Sequence, residues 1–237
     1  MSRNDIGILF VHGIAGNARI FQFLDDVVPA DASCVRLTLQ GHGGDALGFS
    51  RASMRTWEKQ VEEAAAELRR KYSKVIIVGH SMGCLLALGE SVRPDIDGFL
   101  LINPPLRLRI RTSMFRNSLK ATFGMTEGDE VAKAAVDAYG ITLDKNPFHY
   151  YGWAARFFEL FRKMGKTRQI LRELQLQSTA EVFLSAHDEM VSTRSAKYFS
   201  TEAGCRVTIL PSSGHYYYTL PDRKLMRDAL QRILQQI

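Results

Sequence analysis

Cysteine is scarce in this chain: Cys34, Cys84 and Cys205 are odd in number, widely spaced and set in apolar stretches. That argues against a disulfide framework or a metal site, and it predicts buried free thiols in a reducing, cytoplasmic setting. Long hydrophobic runs are missing as well. The stretch "MSRNDIGILFVHG" is interrupted by His12 and Gly13 after a short apolar run, too short for a signal-peptide core or a membrane span, so no stable membrane insertion is expected. There is no internal repeat, no low-complexity linker and no nucleic-acid-binding motif. What remains is a soluble globular chain.

What is present is a core-forming composition: 237 residues, 46% of them hydrophobic, which suits one large domain or two small ones. The formal charge of +6 is unevenly placed. Residues 106–178 hold 13 Lys and Arg against 7 Asp and Glu, and the rest of the chain holds 18 of each. The excess reads either as a solvated basic face or as attraction for an acidic ligand or an anionic surface.

Apolar, β-branched runs of strand length recur as "IGILFVHG", "CVRLTLQGHG", "KVIIVGHS", "GFLLINPP", "AEVFLSAHD" and "CRVTILPSSGH". Their continuous apolar character predicts parallel strands buried on both faces. Helical patterns fall between them. Met54, Trp57, Val61, Ala64, Ala65 and Leu68 mark one face of a helix, and Leu225, Met226, Ala229, Leu230, Ile233 and Leu234 mark another. This alternation predicts an α/β fold with a mostly parallel, doubly wound sheet. Residues 106–178 break the alternation and read as a mainly helical insertion, leaving 1–105 and 179–237 as the core. Within the insertion, "GWAARFFELFRKMGK" predicts Trp153, Phe157, Leu160, Phe161 and Met164 on one helical face, with Arg156, Glu159, Arg162, Lys163 and Lys166 largely opposite. That stripe is either ordinary helix packing or a wall facing a substrate.

The chemistry is carried by "KVIIVGHSMGCLLALG". A Gly-x-Ser-x-Gly match arises by chance in about one chain of this composition in ten, so its context must decide. Here it follows a strand and opens a helix, as a nucleophile elbow requires. Gly79 and Gly83 spare the turn two side chains, and the hydroxyl of Ser81 is lifted into a cleft. A serine hydroxyl needs a base, and the base needs a partner that fixes its tautomer. "FLSAHDEMV" places Asp188 beyond the end of one strand, and "ILPSSGHYYY" places His215 in the loop after the next. In a parallel sheet these loops meet at the carboxyl ends of the strands. Glu189 is the close rival to Asp188; His12 and His42 read as structural residues of Gly-rich turns, and Asp222 as a charge in the first turn of the last helix. An acyl-transfer site also needs donors for the oxyanion. The N–H groups of Ile14 in "VHGIAG" and of Met82 after the nucleophile are the candidates.

With "HGIAG", "QGHGG", "GHSMG", "HDEMV" and "SSGHYYY" in this order, the chain resembles the α/β-hydrolase superfamily, within it the compact bacterial carboxylesterase and monoacylglycerol lipase type. The resemblance implies an α/β-hydrolase fold with a cap over residues 106–178. It also implies Ser81 as nucleophile, Asp188 as acid, His215 as base, and Ile14 and Met82 as the oxyanion hole. Neither cofactor nor metal is expected. Cys84 and Ser192 depart from the usual Gly and Pro of the type. The expected substrate is a small ester with an apolar acyl or alkyl group, lined by Trp153, Phe157, Val191 and Tyr216. Thioester hydrolysis, carbon–carbon bond hydrolysis and acyl transfer use the same triad, and a ligand sensor on the same fold is the alternative of another class.

Overall fold

The computed structural model describes residues 5–90, 95–109, 127–143, 145–173, 178–199 and 204–237. Its strands are β1 (Ile6–Val11), β2 (Ser33–Arg36), β3 (Lys74–His80), β4 (Gly98–Ile102), β5 (Thr179–Ser185) and β6 (Cys205–Leu210). They pair in the order β2-β1-β3-β4-β5-β6, every pair parallel. The six predicted runs therefore all become strands. The second is the shortest: β2 ends at Arg36, and the rest of "CVRLTLQGHG" leaves the sheet edge for a turn. The helices are α1 (Ala46–Arg51), α2 (Met54–Lys71), α3 (Met82–Glu90), α4 (Glu130–Ala138), α5 (Trp153–Glu173) and α6 (Leu220–Gln236).

Alternation along each strand divides the core into two layers. Leu9, Val11, Ile77 and Leu101 pack with Trp57, Leu85 and Met164 on one face of the sheet. Ile8, Phe10, Ile76 and Leu100 pack with Phe21, Met226 and Ile233 on the other. The faces predicted for α2 and α6 meet the sheet, with Trp57, Val61, Ala65 and Leu68 buried on α2 and Met226, Ala229, Leu230 and Ile233 on α6, except that Leu225 stands at the edge of its face and is exposed. Ser53 caps α2 by accepting the Thr56 N–H at 3.1 Å, and Arg69, Arg70 and Lys71 close its last turn, as the helix dipole favours.

Helix α5 keeps Trp153, Leu160 and Met164 of the predicted stripe against the core but turns Phe157 and Phe161 outward. Its buried residues are Leu160, Lys163, Met164 and Thr167, whereas Phe157, Phe158 and Phe161 are exposed. The helix is turned because its charges find partners as it packs on α2 and α3. Lys163 Nζ reaches Glu58 at 2.8 Å; Arg156 donates to Glu159 at 2.9 Å, and Glu159 in turn accepts the Met54 N–H. Long cationic side chains bury their stems readily once the head is paired, so they displaced the aromatics from the packed face. Residues 110–126 and 174–177 of the predicted insertion lie outside the described residues.

The strand order reverses at β1, which has β2 on one side and β3 on the other. Such a switch point opens a crevice at the carboxyl ends of the strands. The loops after β1 and β3, "HGIAG" and "HSMG", both emerge there.

Candidate active site

Between β3 and α3 the backbone turns through Ser81, whose φ is +51°. A non-glycine residue in this left-handed region is strained and must be held by its surroundings. Here the Ser81 N–H donates to Ile102 O at 2.9 Å and Ser81 O accepts the Cys84 N–H at 2.9 Å. The two flanking glycines are required by space. A Cβ at Gly83 would lie 1.9 Å from Val11 O, and one at Gly79 would lie 2.9 Å from the backbone of Cys84. The turn can thus press α3 against both β1 and β3. The Cys84 thiol is buried and bonded to Gly79 O and Ile102 O, and burial raises its pKa, so it packs rather than reacts.

Asp188 and His215 meet at the ends of β5 and β6. Asp188 is buried; its Oδ1 accepts the N–H groups of Met190 and Val191 at 2.7 Å each, and its Oδ2 accepts His215 Nδ1–H at 2.7 Å. That last bond puts the neutral-imidazole proton on Nδ1 and leaves the lone pair on Nε2. His215 Nε2 is buried and, among the described residues, has no hydrogen-bond partner. The histidine is fixed through its backbone too. Its N–H donates to Glu189 Oε2 at 3.1 Å, and its carbonyl accepts from Tyr218 at 2.9 Å and from His80 Nε2–H at 3.1 Å. Because His80 immediately precedes Ser81, that last bond ties the histidine loop to the elbow.

The loop after β1 is built by two histidines. His12 donates from Nδ1 to Gly13 O at 2.8 Å and accepts the Leu39 N–H on Nε2 at 3.2 Å. His42 donates from Nδ1 to Leu39 O at 3.2 Å and accepts the Ala15 N–H on Nε2 at 3.0 Å. Each ring is a donor and an acceptor at once, which only the neutral form can be. Burial lowers the His12 pKa to about 4; burial together with the neighbouring His12 lowers His42 to about 3. Ala15 holds φ +54°, and a Cβ at Gly13 would lie 3.0 Å from the Ser81 Cβ, so this loop closes directly over the elbow. Met82 opens α3, and a first-turn N–H has no acceptor within its helix.

The same loop is strapped to the segment after α4. Asn17 N–H donates to Ala138 O and Gly140 N–H to Ala15 O at 2.8–3.0 Å, and Asn17 Nδ2 donates to Asp137 O and Tyr139 O, while Thr142 N–H, donating to Gly44 O at 2.8 Å, ties the segment to the loop after β2 as well. A Cβ at Gly140 would lie 2.0 Å from Gly16 O. Neither this strap nor the role of Asn103 is announced by a sequence motif. Asn103 is buried at φ +52°, accepts the Ser185 N–H at 2.8 Å and donates to Tyr218, joining the ends of β4 and β5 to the histidine loop. The one signal was an Asn at a strand end before Pro104, since Asn tolerates the left-handed region.

Two residues do more than expected. Glu189 holds the His215 backbone. Asp222 is buried and accepts from the Ser213 hydroxyl at 2.6 Å and the Ser212 N–H at 3.1 Å, bracing the same loop. Of the candidate substrate residues, Val191 is buried on the Asp188 loop, and Tyr216 lies edge-on to His215 with ring centroids 4.7 Å apart. Trp153 donates to Ala46 O at 3.2 Å and packs against Phe49, whereas Phe157 stands 38% exposed on α5. Among the described residues, no group of three His, Cys, Asp or Glu side chains is arranged to hold a metal ion, and no helix is long and apolar enough to cross a membrane.

Comparison with known proteins agrees with this architecture. The sequence model described as "Alpha/beta hydrolase family" matches residues 8–227. A thermostable monoacylglycerol lipase of Bacillus sp. (strain H-257) is 28% identical over 193 residues, 78% of this chain and 72% of that protein. Among solved structures, one from work on LipS and LipT, two metagenome-derived lipolytic enzymes, has a TM-score of 0.70 at 18% identity, covering 98% of this chain and 94% of that one. A soluble variant of monoglyceride lipase from Saccharomyces cerevisiae, in complex with a substrate analog, has a TM-score of 0.66 at 15% identity, covering 97% and 86%. At these identities the structural likeness is one of fold.

Proposed function

The chain belongs to the alpha/beta hydrolase family, and on that premise we propose that it is a serine hydrolase that cleaves carboxylic esters through an acyl-enzyme on Ser81. The observation that carries the proposal is His215. It is fixed by Asp188 on Nδ1 and by three backbone bonds, while its buried Nε2 is left without a partner. A buried polar atom without a partner costs about 1–3 kcal/mol, so its persistence points to use in chemistry.

In the proposed reaction Ser81 Oγ attacks the ester carbonyl as Nε2 takes its proton. Asp188 stabilises the imidazolium, and the N–H groups of Ile14 and Met82 receive the oxyanion. Collapse of the tetrahedral intermediate expels the alcohol, which takes the proton from Nε2. Water, activated by the same nitrogen, then releases the acid. The aromatic residues Trp153, Phe157 and Tyr216, with Val191, favour an apolar acyl or alkyl group. Short to medium acyl esters and monoacylglycerols are the proposed class, and the likeness to monoacylglycerol lipases supports it.

A panel of p-nitrophenyl esters of rising chain length tests this reading. Burst release of the chromophore, lost in Ser81→Ala, is expected. Turnover absent for esters and thioesters alike would refute the hydrolase and favour a ligand sensor on the same fold.

A further inference from the structure

Four cations gather around Tyr198, on the turn that follows the Asp188 loop. Tyr198 ends the 3-10 turn Thr193–Tyr198, against which α5 packs. Arg172 Cζ lies 5.7 Å from the centre of its ring and Lys197 Nζ lies 5.1 Å from it. Arg168, one helical turn before Arg172 on α5, donates from Nε to Met164 O at 3.2 Å, and its charge and that of Arg107 act on the Tyr198 hydroxyl. Arg107 is held in place by its backbone, which accepts the Ser192 N–H at 2.8 Å and donates to Ser195 Oγ at 2.9 Å. Three separate segments of chain thus deliver positive charge to one phenol.

None of the four has a carboxylate within ion-pair distance among the described residues. Lys163 and Arg69, whose side chains are largely buried, are by contrast paired, with Glu58 and with Glu90 and Asp95. Arg168 and Arg172 are also like charges at i,i+4, a spacing that destabilises a helix by a few tenths of a kcal/mol. Desolvation raises the Tyr198 phenol, yet the neighbouring cations Arg168, Lys197 and Arg107 outweigh it and hold the phenol below its usual value. The cations thus converge on one phenol, with no carboxylate among the described residues to offset them.

We propose that Arg107, Arg168, Arg172 and Lys197 form a binding site for a phosphate or diphosphate group. Three guanidinium forks and one ammonium offer more donors than the two oxygens of a carboxylate can accept, and guanidinium groups match phosphate oxygens in pairs. The phosphate has two candidate sources, the tail of a phosphorylated substrate such as a coenzyme A thioester, or a free phosphate ligand. The site stands apart from the hydrolase proposal, and only the substrate arm rests on it.

Thermal unfolding of the whole chain with inorganic pyrophosphate, against sodium chloride of equal ionic strength, tests the site. Pyrophosphate is expected to raise Tm, and titration calorimetry is expected to show that Arg168→Gln/Arg172→Gln weakens its binding at least about tenfold. The paired variant Arg162→Gln/Lys166→Gln, which removes two charges elsewhere on the same helix, should bind as the parent does. Without anion the Arg168/Arg172 variant should be no less stable than the parent, so misfolding would be visible as such. An equal rise with chloride, or unchanged pyrophosphate affinity in that variant, would overturn the site. For the source, a substrate tail predicts that kcat/KM for a coenzyme A thioester falls about tenfold in the variant while a neutral ester of the same acyl group is unaffected. Unchanged turnover of both, with pyrophosphate binding lost, assigns a free phosphate ligand. Failure of turnover in the parent would leave the binding result standing and count only against the hydrolase.

Discussion

Strands β3, β4 and β5 bury nearly every side chain they carry. The segment between β4 and β5 does the opposite: of the twelve large hydrophobic side chains exposed among the described residues, nine fall between Leu108 and Phe161. The sheet is held by continuous apolar packing, whereas the segment adds scattered residues, Leu106, Ala138, Ile141, Leu160 and Met164, to the core and is otherwise tied to it by backbone bonds and ion pairs. The two regions meet at the loop after β1, which the sheet supports from below through His12 and His42 and the segment straps from the side through Asn17 and Gly140. The contrast teaches that damage of the same kind should register as lost stability in one region and as altered turnover in the other.

The sharpest way to break that contrast is a pair of glycines. A methyl at Gly83 would strike Val11 O at 1.9 Å, and one at Gly140 would strike Gly16 O at 2.0 Å. Gly83→Ala should cost about 3 kcal/mol or prevent folding, because β1 and α3 cannot separate without opening the core. Gly140→Ala should leave the denaturant midpoint much closer to the parent and lower kcat by about tenfold or more, through displacement of the Ile14 N–H. Equal losses of stability in the two would erase the distinction.

Acid should act on the shared loop. Both histidines are neutral in the fold, with pKa lowered from 6.5 to about 4 for His12 and about 3 for His42. In the unfolded chain they bind a proton at about 6.5, so their contribution is whole above that pH and is lost as pH falls toward 4 and then 3. A loss on the order of a few kcal/mol is expected across that window, read as urea midpoints against pH. His42→Gln, an uncharged substitute, should flatten the slope. A slope unchanged in that variant would assign the acid sensitivity elsewhere.

A smaller effect is expected at Asn17, whose side chain caps the 3-10 turn Ala18–Val27 through the Arg19 N–H and donates to Asp137 O and Tyr139 O. Asn17→Ala should cost about 1–2 kcal/mol and raise KM more than it lowers Tm would suggest. The smallest change belongs to the exposed aromatics. Phe158→Ser, at a side chain 63% exposed, should shift stability by less than about 0.5 kcal/mol, as measured by urea unfolding.

Much of this was legible in the sequence because it is written locally. Each strand is a short apolar run closed by a turn signal, and Ser81, Asp188 and His215 each follow such a run. The rotation of α5 was not legible, since Lys163 is buried against Glu58 and the half-buried Arg156 against Ser50, partners about a hundred residues away, at 2.8 Å and 3.4 Å. The strap of residues 137–142 on the loop after β1 is likewise made mostly by backbone atoms, which leave no trace in residue type apart from Asn17 and Gly140. Asp222 showed its charge but not its burial. Local pattern carries the frame and the candidate site, and long-range partner choice carries what braces it.

The central claim is that Ser81 carries an acyl group during turnover. Mass spectrometry of the protein quenched during the p-nitrophenyl ester burst tests it most directly. The account predicts a mass increase of one acyl group, located on Ser81 and absent from Ser81→Ala. Steady hydrolysis with no acyl group on Ser81, or full activity in Ser81→Ala, would contradict it.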